Sequence, residues 1–150
     1  MREVMTKSMA RNIFYGGSLF FILIFVGPTA HSHLYILNSS TDVAGLTESV
    51  KRGKRVWEHN ACVNCHSLHG EGAYFAPEVG NVMTRWGVAD DAEAAFDAME
   101  GWIGAQPSGI EGRRQMPRFH FTDEQIRDLA EFLRWADRMD TQDWPPNDAG

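Results

Sequence analysis

The chain has 150 residues, of which 43% are hydrophobic and 23% are charged, and this ordinary globular composition excludes a disordered protein. Its 14 lysine and arginine residues are outnumbered by 20 aspartate and glutamate residues, and the net charge of -6 argues against nucleic acid as a partner. The two cysteines, Cys62 and Cys65, are too few for a disulfide framework or for a zinc site made only of cysteines.

An uncharged segment near the N-terminus predicts a membrane anchor. Residues 12–30 contain no charged side chain, and at a rise of ~1.5 Å per residue they would span roughly 28 Å, close to the hydrocarbon core of a bilayer. A cleaved signal peptide is the alternative, but the segment is long for one and no clear cleavage site follows it. We therefore expect a transmembrane helix and its short extension, in contact with lipid, over residues 12–37, preceded by a cytoplasmic N-terminus of residues 1–11.

Charges on either side of the anchor predict its orientation. Arg2, Lys7 and Arg11 precede it, whereas the first lysine or arginine after it is Lys51. By the positive-inside rule the N-terminus lies in the cytoplasm and the rest of the chain outside, which is the periplasm if the membrane is the inner membrane of a Gram-negative bacterium. The exported residues 38–150 hold 11 basic and 19 acidic residues, a net charge of -8.

Residues 38–47 are polar and predict a linker to a helical domain over residues 48–150. No alternating strand pattern is present, so the predicted fold is all-α. Asp90 and Thr122 each have a glutamate or glutamine three residues later, which is the spacing of an N-terminal capping box. Helices are predicted over about residues 48–60, 79–86 and 90–103, and in a last segment whose apolar stripe consists of Ile126, Leu129, Ala130, Leu133 and Ala136.

The run CVNCH, from Cys62 through Cys65 to His66, predicts covalent attachment of one c-type haem. Two thiols one helical turn apart can each add to a vinyl group of the same haem, and the adjacent His66 then faces the iron as its fifth ligand. A thioredoxin-like redox pair would require a preceding strand and a βαβ pattern, which the chain lacks. A zinc site would have to recruit His59 or His69 as well, and no second pair of ligands has zinc-finger spacing.

Met116 is the predicted sixth ligand of the haem iron. It lies in the loop of residues 112–118, where Pro117 stiffens the backbone beside it. His120 is the main rival, and Met83 lies on the short predicted helix, whereas the remaining downstream methionines fall inside longer predicted helices. If protein ligands occupy both axial positions, the iron has no open site, and the domain transfers electrons without binding a gas itself.

Further residues have expected roles around the haem. Pro77 lies in a loop like the one whose proline carbonyl orients the axial histidine of c-type domains. Arg113, Arg114 and Arg118 cluster about the proposed methionine ligand and would face haem propionates, an acidic partner or solvent. Gly53 on the first helix of the domain predicts a close crossing by the last helix.

Over nearly its whole length the chain resembles the small, membrane-anchored cytochrome c subunit of the cytochrome-c-dependent nitric oxide reductase of denitrifying bacteria. The most specific motifs are GEGAYFAPE at residues 70–78 and WPPN at residues 144–147. Other matching segments are residues 9–13, 62–68, 80–82, 105–107, 112–114, 116–117 and 129–133. The resemblance implies a class I-like cytochrome c domain tethered by one N-terminal transmembrane helix.

The resemblance also implies partners. A large membrane subunit with b-type haems and a non-haem iron would carry out 2 NO + 2 e⁻ + 2 H⁺ → N₂O + H₂O. This chain, without catalytic residues of its own, would accept electrons from a periplasmic cytochrome c or a small copper protein (a cupredoxin) and pass them to haem b. The family has a calcium ion at the subunit interface, to which Gly72 and Tyr74 would contribute; the alternative is a turn glycine and an aromatic residue packed on the haem.

Two other functions stay open from the sequence. One is a single-haem anchored subunit of a haem-copper oxidase, or a free-standing anchored electron shuttle. The other is a haem-free thiol or metal protein. The GEGAYFAPE stretch favours the nitric oxide reductase subunit over both.

Overall fold

A long helix, α1, spans Lys7–Tyr35 and continues as a short π-helical segment over Ile36–Ser40. No residue of α1 is buried, and over Lys7–Ser40 the helix is long and apolar enough to cross a membrane. A long apolar helix is therefore present where the sequence predicts one, and its role as a membrane anchor stays a prediction. The helix extends past residue 37 into the predicted linker as the π-helical segment, where the Asn38 Nδ2 donates to the Leu34 carbonyl at 2.7 Å.

The structure is a computed structural model that describes residues 5–145. The chain forms two compact units that divide between Ser39 and Ser40, one containing α1 and the other the helical domain. Arg2 of the N-terminal charge pattern and the last two residues of the WPPN motif lie outside the described residues. Residues 1–4 of the predicted cytoplasmic N-terminus and residues 146–150 of the predicted exported domain also lie outside the described residues.

The helical domain is built around α2, over Glu48–His59, and α5, over Asp123–Asp137. Thr122 and Gln125 form the predicted capping box, in which the Thr122 hydroxyl accepts the Gln125 N–H and the Gln125 side-chain oxygen accepts the Thr122 N–H. Thr47 caps α2 by accepting an N–H group from its first turn. Both helices therefore begin where the sequence predicts them.

The two helices cross closely at Gly53. A Cβ atom at this position would lie only 1.9 Å from the backbone oxygen of Asp128 and 2.7 Å from the Cβ of Phe132. Beside the crossing, the rings of Trp57 and Phe132 have centroids 6.4 Å apart. The close approach predicted from Gly53 is confirmed, and Phe132 is the side chain of α5 that it meets.

Two further helices complete the domain, α3 over Val82–Arg85 and α4 over Ala92–Gly104. α3 is shorter than the predicted segment. The N-cap of α4 is Asp91, whose side chain accepts two N–H groups of the first helical turn. The prediction of a capping box made by Asp90 and Glu93 is wrong, because the helix begins one residue later and Asp91 takes the cap position.

A short antiparallel pair of strands, β1 over Ser67–Leu68 and β2 over Glu71–Gly72, lies between α2 and α3. The sequence does not predict it, because strands of two residues are too short to produce an alternating pattern. No other strand occurs within residues 5–145, so the all-α class is confirmed.

The hydrophobic core lies among the helices of the domain. The whole predicted apolar stripe of α5 is buried. Full burial of each large apolar side chain contributes about 1.5–3 kcal/mol, so these contacts dominate the stability of the domain. The other helices contribute Val50, Val56 and Trp57 from α2, Val82 and Met83 from α3, and Ala95, Phe96, Met99 and Ile103 from α4.

A buried carboxylate also links α5 to α2. Asp128 is 4% exposed and accepts hydrogen bonds from Arg52 at 2.6 and 2.7 Å and from the Ser49 hydroxyl at 2.5 Å. Burial disfavours the charged form, but the bonds from Arg52 and Ser49 outweigh it and lower the pKa of Asp128.

We expect Asp128→Asn to lower the thermal midpoint of the domain by a few degrees at pH 7, because an amide cannot accept both bonds from Arg52. The pKa of Asp128 is lower in the folded chain than in the unfolded chain, so its contribution is present above about pH 4 and is lost as the pH falls through the folded value. Thermal unfolding of the detergent-solubilised chain should therefore show the gap between wild type and variant closing in acid. A gap that is equally large in acid would contradict this expectation.

Candidate functional site

The CVNCH run folds into a tight turn directly after α2. Ala61 begins it in a left-handed conformation, with φ of 52°, and Cys62–Asn64 form a 3₁₀ turn. The N–H groups of Cys65 and His66 both donate to the Cys62 carbonyl, at 3.1 and 2.9 Å. Through this turn, both thiols and the imidazole line one cavity.

The loop that follows folds back onto the turn. The Ala76 N–H donates to the Cys65 carbonyl at 2.7 Å. Gly72 has a φ of +125°, and a Cβ atom at this position would lie 2.3 Å from the His66 carbonyl oxygen. Only glycine fits such a conformation and such a close approach, so the turn itself requires Gly72.

Pro77 and His66 are in hydrogen-bond contact. The His66 Nδ1 lies 2.8 Å from the carbonyl oxygen of Pro77. Because a carbonyl can only accept, the proton belongs on Nδ1. The Nε2 atom of His66 then keeps its lone pair, which is the form of neutral imidazole that binds a metal.

A cavity of about 950 Å³ brings the predicted haem residues together. Cys62, Cys65 and His66 line it on the side of the turn, and Met116 lines it from the loop before α5. Its volume is at the upper end of the range of about 300–1,000 Å³ for cofactor and ligand pockets. Much of the remaining lining is apolar: Phe75, Pro77, Trp86, Trp102, Ile110 and Phe119. The residues present therefore fit a group as large and as apolar as haem.

The rival ligands do not reach this cavity. Among the methionines of residues 5–145, Met116 alone lines it. Met83 and Met99 are buried in the core, at 0% and 4% exposure. His120 is exposed and is not part of the lining. The structure thus brings Met116, and neither predicted rival, to the cavity that contains His66.

The cavity lining contains both a partly buried thiol and positively charged groups. Burial raises the pKa of the Cys62 thiol to about 11, so this thiol is neutral at physiological pH in the haem-free chain. Arg113 and Arg114 also belong to the lining, and the Arg114 guanidinium lies 4.9 Å from the centroid of the Phe75 ring. Two guanidinium groups in the lining suit a cofactor that carries acidic groups, such as haem propionates.

Tyr74 lies on the outside of the same loop. It is 69% exposed, and its hydroxyl donates to the Gly70 carbonyl at 3.0 Å. Within residues 5–145, no group of three or more histidine, cysteine, aspartate and glutamate residues is arranged to hold a metal ion. Calcium binding by Gly72 and Tyr74 stays a prediction.

Sequence reasoning missed Glu78, which follows Pro77. Its carboxylate is buried and accepts the N–H groups of His69, Gly70 and Gly80 at 2.8, 3.0 and 2.7 Å. A single acidic residue in a loop rich in glycine looks solvent-exposed in the sequence. The flanking glycines, whose N–H groups can approach closely, were the one signal that could have identified it.

The cytochrome c family model matches residues 50–137. This span includes the CVNCH run, Pro77 and Met116, and it covers more than half of the chain. The helical domain is therefore a cytochrome c domain, a class of protein that carries covalently bound haem c.

Similarity to other proteins over the full length of the chain identifies a narrower family within the cytochrome c class. The chain is 66% identical to the C subunit of nitric oxide reductase of Cereibacter sphaeroides and 61% identical to that of Paracoccus denitrificans, over 150 residues and 100% of each chain. It belongs to the family of nitric oxide reductase C subunits. A weaker similarity, 28% over 102 residues, relates 67% of the chain to 30% of cytochrome c oxidase subunit 2 of Alkalihalophilus pseudofirmus.

Proposed function

We propose that the chain is the electron-entry subunit of a nitric oxide reductase. It accepts electrons from a soluble donor and passes them through one haem c to haem b of a large catalytic subunit, which reduces NO to N₂O. The observation that carries this proposal is the single cavity lined by Cys62, Cys65, His66 and Met116. The full-length similarity to the C subunits of nitric oxide reductases supports the choice of complex.

Each residue of the cavity has a distinct role in this proposal. Cys62 and Cys65 would hold the haem through two thioether bonds, and His66 and Met116 would be the ligands of its iron. The bound haem supplies an iron that alternates between the ferric and ferrous states. The hydrogen bond to Pro77 fixes the ring of His66 and keeps Nε2 free for the iron.

This ligand set determines what the domain does. With His66 and Met116 both committed to the haem iron, neither NO nor O₂ would find an open ligand position on this chain. The largely apolar part of the lining would lower the exposure of a bound haem to water and so limit the rearrangement that accompanies a change of charge. Both properties suit electron transfer and leave NO reduction to the partner subunit.

We further propose that α1 crosses the bacterial inner membrane, with the N-terminus in the cytoplasm and the cytochrome domain in the periplasm. Lys7 and Arg11 stand at the N-terminal end of α1, and no lysine or arginine follows before Lys51. In this orientation the donor is a periplasmic cytochrome c or a cupredoxin. A calcium ion at the interface with the catalytic subunit would take ligands from both chains and stays outside this proposal.

A subunit of a haem-copper oxidase is the second candidate, and the similarity to cytochrome c oxidase subunit 2 favours it. That similarity covers 30% of the oxidase subunit, whereas the reductase subunits match over 100% of their length.

Purification of the complex in mild detergent distinguishes the two candidate functions. The proposal predicts that a second subunit, which holds haem b, copurifies with NO-consuming activity; a complex that consumes O₂ and not NO would overturn it.

Replacement of Met116 tests the ligand assignment. We expect Met116→Ala to remove the spectral features of methionine ligation and to lower the reduction potential of haem c by more than ~59 mV, a tenfold change in the one-electron equilibrium. The reason is that a thioether stabilises the ferrous state more than water or imidazole does. Absorbance spectra and redox titration of the purified complex measure both effects.

Two variants serve as controls for Met116→Ala. His120→Ala removes the rival ligand, and Met139→Ala removes a methionine that does not line the cavity. Both should leave the spectrum and the potential unchanged. Retained methionine ligation in Met116→Ala, or bis-histidine ligation in the wild type, would contradict the assignment.

A further inference from the structure

A buried carboxylate stands directly beside the carbonyl group that contacts His66. Glu78 is 4% exposed and follows Pro77, whose oxygen lies 2.8 Å from the His66 Nδ1. The Pro77 carbonyl belongs to the planar peptide unit that joins Pro77 to Glu78. The Cα atom of Glu78 is the far end of this plane, so contacts that anchor Glu78 restrict how the carbonyl can turn.

Backbone N–H groups enclose the carboxylate of Glu78. Its Oε1 accepts from His69 at 2.8 Å and from Gly80 at 2.7 Å, and its Oε2 accepts from Gly70 at 3.0 Å. Burial disfavours the charge, but the N–H donors of Gly70 and Gly80 outweigh it and hold the pKa of Glu78 below its ordinary value. The ionised side chain of Glu78 thus links the backbone of His69 and Gly70, where the loop begins, to that of Gly80, where it ends.

The backbone around Glu78 is held as well. Arg85 donates from Nη2 to the Glu78 carbonyl, and the Val79 N–H donates to the Ser67 carbonyl at 3.0 Å. A Cβ atom at Gly80 would lie 2.9 Å from the Glu78 Oε1, so a side chain at Gly80 would push the carboxylate out of place. These contacts hold the Glu78–Val79 peptide and the carboxylate, and so fix the residue that follows the Pro77 carbonyl.

We propose that Glu78 is a positioning residue for the axial histidine: its carboxylate holds the peptide whose carbonyl orients His66. The inference rests on the proposed ligation of haem iron by His66. A well-directed hydrogen bond to Nδ1 makes the imidazole a stronger donor to the iron and favours the ferric state. Loosening the carboxylate weakens this bond and raises the reduction potential.

Redox titration of haem c in the detergent-purified complex tests the inference. Glu78→Gln keeps the shape of the side chain but removes its charge and one acceptor, so it should raise the potential while the spectrum still shows methionine ligation. Glu78→Ala should raise it further. The wild-type spectrum is recorded first: if it lacks covalent haem c, the proposed function itself fails, whereas an unshifted potential in the variants defeats only the role of Glu78.

Two matched variants distinguish an effect of Glu78 on the position of His66 from a general effect of lost charge or of lowered stability. Glu71→Gln makes the same charge change at an exposed position of the same loop. Asp128→Asn removes another buried, hydrogen-bonded carboxylate, between α2 and α5. Neither should shift the potential. The inference is overturned if Glu78→Gln lowers thermal stability as Asp128→Asn does but leaves the potential unchanged, or if both Glu78 variants lose the haem altogether.

Discussion

Gly53→Ala is expected to destabilise the cytochrome domain severely. The added Cβ would lie 1.9 Å from the Asp128 backbone oxygen and 2.5 Å from its carbonyl carbon. Backbone atoms cannot move aside by changing rotamer, so α2 and α5 must separate and lose the contacts that form the core. Overpacking of this kind costs roughly 3 kcal/mol or more, a large part of the 5–15 kcal/mol that stabilises a typical domain.

The measurements are the yield of haem-bearing chain and its thermal midpoint in detergent. Gly104→Ala is the matched control, since it adds the same methyl group to a helical glycine that has no atom within 4 Å of the new Cβ. That variant should be neutral or more stable by about 0.5–1 kcal/mol. A Gly53→Ala protein as stable as the wild type would show that the crossing is looser than described.

The double variant Cys62→Ala, Cys65→Ala is expected to abolish covalent haem attachment completely and electron transfer with it. No other cysteine exists in the chain to form a thioether bond. A haem stain of the denatured polypeptide measures attachment, and reduction of haem b by the soluble donor measures transfer.

Asn64→Ala is the control for the cysteine variant, because it changes an exposed position between the cysteines that the attachment chemistry does not use. It should retain haem and activity. Haem that stays on the denatured double variant would mean that other residues hold it, and the role assigned to the CVNCH run would then be wrong.

The parts of the fold that the sequence predicts are those encoded by short-range patterns. The stripe of α5, its capping box at Thr122 and the CVNCH run each depend on residues within a few positions of one another. Gly53 was interpretable for a different reason, since a glycine within an otherwise regular helix costs about 1 kcal/mol and therefore indicates a close contact.

The features of the fold that the sequence does not predict depend on a choice between two adjacent residues of the same type, or on contacts between residues far apart in the chain. Asp90 and Asp91 have the same side chain, and only the packing of α4 decides which one becomes the cap. The burial of Glu78 requires N–H groups of His69 and Gly80 that its own position does not reveal. The pocket that selects Met116 over His120 likewise exists only once α4, the loop after the turn and the loop before α5 have come together.

The order of haem reduction tests the central claim most directly. The detergent-purified complex is mixed anaerobically with a reduced periplasmic cytochrome c or cupredoxin, and the absorbance bands of haem c and haem b are followed in time. We predict that haem c is reduced first, that haem b follows, and that the Cys62→Ala, Cys65→Ala complex shows no donor-dependent reduction of haem b. Haem b that is reduced equally fast in that complex would contradict the proposed role, because electrons would then enter without this subunit.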